Sequence, residues 1–395
     1  MLSYYTNIQI EHDDLIEELN RNSCSGIELL LGMHHLIPRG EKLNVSLFGE
    51  ERDSVELEER QWGAFTVAVS RAHAGKEQKE NVALVGMELN ENEKIALTLA
   101  DLDRPLRVCG NTRLKGDCFL PAAGIERAYI EGKSFTGTEL VEGKIEHSNR
   151  TLPPYNDSLI KEISSLFSFI PAENDSIASV GMLHSGDSIS NSFFNRTLYI
   201  YSADALSINS SITGNVCIIS KKQITIGKNS SLENVLLLAP AIEIEDEVTG
   251  TFQAFARDSL KAGKEVRLNY PSVLALISDK NSPDHSTLSI GEKTAVSGQL
   301  FACSIFSDLN RHVLIQTAKE SLVYGSVYCS DLVDHKGTVI GSLSCSKFLL
   351  QTNSAEYENH LLDAVIDRTS LSDEFVAPLL LLNNKAGKGV AEWLE

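Results

Sequence analysis

The chain has 395 residues, 54 of them acidic against 35 basic, for a net charge of −19 at neutral pH, which argues against a phosphate backbone or an anionic membrane surface as its main partner. With 42% hydrophobic and 23% charged residues, 26 glycines and 10 prolines, the composition is that of a globular protein and excludes a disordered or collagen-like chain. The length suits two or three domains, or one long body if internal repeats are present.

Residues 8–31 carry Ile8, Leu15, Ile16, Leu19, Ile27, Leu30 and Leu31 mostly three or four apart with acids between them, the pattern of an amphipathic helix. Gly32 and then Pro38 stop it. No run reaches the roughly 18–20 apolar residues of a membrane span; the longest, at 376–382, is interrupted by Pro378. The N-terminus lacks the order of a cleavable signal, and because Met1 opens directly onto helix, a membrane anchor ahead of it is as much expected as its absence. Alternating strings follow: VSLF at 45–48, SVELEE at 54–59, WGAFTVAVSRA at 62–72 and NVALVGMEL at 81–89, with Gly49, Glu50, Gly75 and Lys76 in the separators. They predict a small antiparallel sheet packed against the helix.

From Arg107 the pattern changes. ITIGKNSSLENVLLLA at 224–239 lies over LSIGEKTAVSGQLFAC at 288–303 without a gap, and LSINSSITGNVCII at 206–219 and IEIEDEVTGTFQAF at 242–255 fit the same template after a two-residue deletion. Weaker copies occur at 321–330, 338–346, 113–121 and 140–148. Gly214, Gly250, Gly298, Gly325 and Gly341 mark one corner, and the interval from Gly250 to Gly298 reads as three equal units, each the length of the interval from Gly325 to Gly341. A unit of about 16–20 residues without a helix cannot bury its own apolar face and must stack, as in a parallel β-solenoid. The competing fold is a β-sandwich, which does not account for the gapless match.

Residues 156–169 have helical spacing with Asn156 or Asp157 as cap, and 357–366 repeat that spacing before the VAPLLLL tail. Both are expected as short helices, the first lying on the solenoid or over an end, the second capping a terminal turn. The predicted class is therefore mainly β: a parallel β-solenoid (β-helix) with an N-terminal amphipathic helix, a small antiparallel sheet and short capping helices. The divisions are 1–104 (helix and sheet), 105–155 (first solenoid turns), 156–197 (helical insertion), 198–350 (solenoid) and 351–395 (C-terminal cap).

Little of the sequence points to chemistry. Cys24, Cys109, Cys118, Cys217, Cys303, Cys329 and Cys345 include no C-x-x-C pair, their number is odd, and most sit in apolar strings as small core residues; a disulfide between Cys303 and Cys329, or Cys329 and Cys345, stays open. Glu243, Glu245 and Glu247 alternate with isoleucines and predict a solvated acidic row, with calcium as the less favoured reading. Asp101 and Asp103 start like a calcium loop that Pro105 breaks. Asp204, Asp308, Asp331 and Asp334 are the carboxylates a polysaccharide-cleaving solenoid would need in pairs, but no spacing brings two together. His34 and His35 diverge and lack a third metal ligand. No nucleophile elbow, phosphate loop, dinucleotide fingerprint or basic aromatic patch occurs, and Trp62 and Trp393 read as packing residues. No catalytic, cofactor-binding or metal-binding residue is assigned, and no cofactor is expected.

The repeats from Leu206 to about Leu350, about a third of the chain, resemble the bactofilin-like polymer-forming solenoids, although the irregular interval from Gly298 to Gly325 departs from that family's even turns. The helix from Tyr4 to Gly32 followed by a sheet with the WGAF string looks like the soluble part of type IV pilin-like or minor-pilin-like proteins, over about a quarter of the chain. These likenesses imply a non-catalytic structural or adhesion-type protein of the bacterial cell envelope, at the periplasm or surface, with an envelope protein or polysaccharide as partner and no nucleic acid. The alternatives are a carbohydrate-active β-helix enzyme, a lyase or hydrolase, and a cytosolic scaffold that polymerises through solenoid ends.

Overall fold

A computed structural model describes residues 2–32, 41–46, 53–89, 94–172, 175–183, 186–306, 310–352, 354–383 and 386–394. His34, His35, Pro38, Gly49, Glu50 and Asp308, together with the second half of the VSLF string, lie outside them.

Helix α1 (Leu2–Gly32) lies on an antiparallel meander of β1 (Lys42–Val45), β2 (Asp53–Trp62), β3 (Phe65–Ala74) and β4 (Glu77–Glu88), as its spacing predicts. From Leu15 on, α1 packs on the sheet: Leu19, Ile27 and Leu30 meet Val55, Leu57, Ala68 and Ala83, while residues 9–14 are exposed. Gly26 permits the close approach, since a Cβ there would lie 2.1 Å from the Ser70 hydroxyl. The free edge of β4 is filled from the far end of the chain, by Val376–Ala377 and Lys388–Leu394. Everything between is inserted into this small sheet.

Most of the insertion is one parallel sheet whose strand pairings close on themselves; Leu106–Cys109, Ile125–Arg127 and His360–Leu362 form a separate three-stranded sheet, and Tyr129–Ile130 pairs with Lys133–Ser134. The pairings form three series. One joins Ser188–Asn191, Ser211–Gly214 and the first residues of the long strands Ser231–Ile244, Thr249–Ala262 and Arg267–Ser278. A second joins the mid-portions of these strands with Leu198–Ser202 and Val216–Ser220. A third joins Leu206–Ile208 and Gln223–Ile226 to the ends of the first two long strands. The gapless strings at 224–239 and 288–303 occupy matching places: Ile224 pairs with Ile242, Ile242 with Leu260 and Leu260 with Leu288.

The step between partners is uneven, which corrects the expectation of an even unit. Leu322 pairs with Thr338 by a short step, whereas Arg267 pairs with Ala295 and Ala295 with Leu322 by steps more than one and a half times as long. The position of Gly250 reaches Val296 in two steps, through Leu268, so the interval to Gly298 holds two units, not three. Loops at the corners, such as 279–284, absorb the extra residues. Gly298, Gly325 and Gly341 are in register with φ of 142°, 140° and 145°. A Cβ at each would lie 1.8, 2.0 or 1.7 Å from the carbonyl oxygen of the strand below, so the corner requires glycine.

The order of the strands is not the order of the sequence. The parallel body starts at Ile95, ahead of the boundary expected at 105, and residues 95–147 sit beyond its last strand. Leu343–Cys345 pair with Leu97–Leu99 and Val365–Asp367 with Arg113–Lys115. The chain winds out to Ile145–His147, crosses the flank through α2 (Asp157–Leu166), restarts at Ser176–Ile177 and winds back onto its own first turn.

Helix α2 is capped by Asn156, which accepts from the Leu159 N–H. Its Leu159, Ile160 and Ile163 pack on the outward side of the second series, against Phe255, Phe301 and Tyr328 among others. This is the flank rather than an end. The tail helix expected at 357–366 is absent: Glu356–Glu358, His360–Leu362 and Val365–Asp367 are three short strands. The corners are Asn359 alone and Asp363 with Ala364, Asn359 and Asp363 being left-handed (φ 55° and 56°), and three-residue strands with corners of one or two residues imitate helical spacing. The following segment also lies on the flank, with Leu380 in the α2 cluster and Leu381 bridged to Tyr155. Trp62 packs edge-on to Phe193, but Trp393 is 52% exposed, because the strand that carries it runs along the sheet's edge.

Candidate functional site

Of the carboxylates singled out from sequence, the three within the described residues each have a partner of their own. Asp204 binds Lys222 at 2.6 Å, and that bond holds its carboxyl below the ordinary range. Asp331 meets His312 Nδ1 at 2.7 Å, and His312 stacks on His285. Asp334 is buried beside Lys336 at 2.8 Å; burial raises its pKa and the lysine opposes this. The acidic row is tied to neighbouring strands: Glu243 to Lys261, Glu247 to Lys228, and Glu245 to the Lys228 backbone N–H. Asp101 accepts from the backbone N–H groups of Ala122 and Asp103, which lowers its pKa, and Asp103 pairs with Arg150. These bonds stitch loops together. Among the described residues no three His, Cys, Asp or Glu side chains gather at metal-holding distance. All seven cysteines are free, six of them buried. Cys303 packs in the outer cluster and Cys329 in the interior, so that pair faces opposite ways; Cys329 and Cys345 are register partners.

The WGAF string proves to be a docking turn. Gln253, buried in the parallel body, accepts from the Ala64 N–H at 2.7 Å and donates to the Trp62 carbonyl at 3.1 Å. Gly63 (φ 59°) leaves room for it, since a Cβ there would meet the Gln253 side chain at 2.4 Å. The small sheet is thus covered on both faces, by α1 on one and by the body on the other.

One concave site has unspent polar groups. A cleft of about 440 Å³ lies between the body and the returning segment. One wall is aliphatic and aromatic, including Met87, Leu89, Ile95, Phe375, Leu381 and Leu382. The other is a row of small polar residues on neighbouring strands: Gln299 pairs with Ser326 and Ser326 with Ser342. Asp367 pairs with Ile340, so Arg368 follows on the strand beyond, level with Gly341 rather than in register with Ser342, and it too lines the cleft. Gln299, Ser326 and Arg368 are 1%, 9% and 3% exposed, and each has a buried polar atom without a protein partner: Oε1, Oγ and Nη1 respectively. Burial pulls the Arg368 guanidinium below its ordinary pKa, with Asp373 acting the other way; arginine nevertheless stays charged. Sequence reading missed this cleft, because its members lie far apart in the chain and only register brings them together.

No family model matches the chain, and no curated protein matches it significantly. The crystal structure of the competence-associated pilin ComZ from Thermus thermophilus is similar at 10% identity over 91% of this chain and 85% of that one, with a TM-score of 0.20. A likeness of that size carries no argument about fold or function.

Proposed function

We propose that the chain is a non-catalytic structural protein of the cell envelope, in which a pilin-like base of helix and sheet presents an inserted β-solenoid as a spacer or as a binding surface for an envelope protein or polysaccharide. The closed parallel sheet is read as a solenoid because three series of partners recur in one fixed order. The observation that carries the reading is the split use of α1: residues 15–31 build the base, whereas residues 9–14 are exposed on every side chain and reach back to the sheet only where His12 approaches Glu77. At 1.5 Å per residue the helix is about 46 Å long, and its exposed part is a natural point of attachment to an assembly. No helix among the described residues is long and apolar enough to cross a membrane, so the attachment is to other protein or to a segment outside this sequence.

Fractionation of the producing cells tests this. The full chain is expected with the envelope, and Ile10→Asp, a change at a position 52% exposed, is expected to release it without lowering its melting temperature. Equal recovery of both chains in the soluble fraction overturns the reading. So does cleavage of an envelope polysaccharide that is lost in Asp331→Asn.

A further inference from the structure

The cleft has the features of a small-molecule site. Its volume of about 440 Å³ falls within the roughly 300–1,000 Å³ usual for such pockets, which are mostly apolar with a few placed polar groups. No acidic residue lines it, and Arg368 is its one charge. A guanidinium with a free N–H in an apolar recess suits a carboxylate, which it binds through two parallel hydrogen bonds. A phosphate dianion would leave charge uncompensated there.

The polar row sets the rest of the ligand. Ser342, Ser326 and Gln299 follow one another in register at about 4.8 Å per step, and Arg368 lies on the strand beyond Ser342. A carboxylate at Arg368 therefore leaves Gln299 Oε1, an acceptor without a donor, some three steps away. Between them the opposite wall is mainly aliphatic. We propose that this cleft binds a medium-chain aliphatic carboxylate bearing a hydroxyl towards its far end, with the carboxylate on Arg368, the hydroxyl donating to Gln299, and the alkyl body against Met87, Leu381 and Leu382. The small hydroxyls of Ser326 and Ser342 keep that wall shallow enough for the alkyl chain.

Isothermal titration of the full chain with 10-hydroxydecanoate tests the assignment, with 1,10-decanediol as the uncharged match. The carboxylate is expected to bind at least tenfold more tightly than the diol. Arg368→Met, which keeps the length of the side chain, is expected to abolish that difference, and Gln299→Met to weaken the hydroxy acid but not plain decanoate. Failure of 10-hydroxydecanoate to bind overturns the proposal, as does equal affinity for the diol. Unchanged preference in Arg368→Met overturns it too. The comparison of ligands on the unaltered chain decides the question even if a variant fails to fold, and none of these outcomes depends on where the protein resides.

Discussion

His335 is 2% exposed and is held from both sides. Its Nδ1 lies 2.7 Å from the Thr317 hydroxyl and its Nε2 3.3 Å from the Val365 carbonyl oxygen. The neutral ring satisfies both contacts, with Nε2–H donating to Val365 and Nδ1 accepting from Thr317. Burial lowers its pKa from 6.5 to about 4, the Val365 carbonyl opposing the shift. Between pH 6.5 and 4 the unfolded chain therefore binds a proton that the native chain refuses. The native state loses stability as the pH falls through this window, with full stability above it and no further loss from this group below it. At 1.36 kcal/mol per pKa unit the loss is about 3 kcal/mol. Urea unfolding of the unaltered chain and of His335→Gln at pH 7, 6, 5 and 4 isolates the effect, because the many carboxylates titrate alike in both. The difference in unfolding free energy is expected to change by about 3 kcal/mol from pH 7 to 4 in favour of the variant. The ring's Cε1–H resonance should titrate near pH 4. A difference that stays flat with pH, or a ring titrating near 6.5, refutes the reasoning.

Two further outcomes are expected. Gly341→Ala puts a methyl 1.7 Å from the Gly325 carbonyl at φ 145° and should cost roughly 2–5 kcal/mol by strain and overpacking. Gly75→Ala, at φ 62° with nothing within 4 Å, should cost only about 1–2 kcal/mol, and equal melting temperatures for the two would contradict the stacking argument. In the native chain Cys24, half-buried, should be the single fast-reacting thiol towards a maleimide. Burial pushes Cys109 up to about 11 and Cys217 and Cys329 to about 12, which starves them of thiolate. Mass spectrometry showing two or more fast modifications would count against this packing.

Much of the architecture was written in local periodicity. The 3.6-residue stripe of α1 and the alternation of β2 to β4 read correctly because each is buried on a face set by its own neighbours in sequence. The matching strings at 224–239 and 288–303 do occupy matching strand positions, though no even length holds: strand pairing fixes which residues meet but places no limit on corner loops, so short and long steps coexist. A usable signal went unread. Val216–Ser220 is buried at every residue whereas Gln223–Ile226 alternates, and this separates a strand covered on both faces from one facing solvent. The continuous VCII, VLLLA and LFAC strings thus marked the flank that α2 and the small sheet cover. The tail at 357–366 failed for the opposite reason, since strand-plus-corner units imitate helical spacing and only the left-handed residues reveal the difference. The cleft had no local signature at all, because Gln299, Ser326 and Arg368 acquire their meaning from partners on other strands, far off in the chain.

The docking of the last turn on the first constrains how a body of this kind can act. Were the strands stacked in sequence order, one edge would adjoin the small sheet and the other would point outward, as in a stalk. Instead the outermost strands arise mid-chain, Ile145–His147 at one end and Ser176–Ile177, Ser188–Asn191 and Leu206–Ile208 at the other, while the small sheet lies at the flank, where Trp62, Phe65 and Leu84 share a cluster with Phe255 and Phe301. These outermost strands are two to four residues long, too short to template extended pairing with another copy. Pairing with another copy through these strands is thereby disfavoured. Because Leu343–Cys345 pair with Leu97–Leu99 and Val365–Asp367 with Arg113–Lys115, the parallel sheet is complete only when segments about 250 residues apart have met.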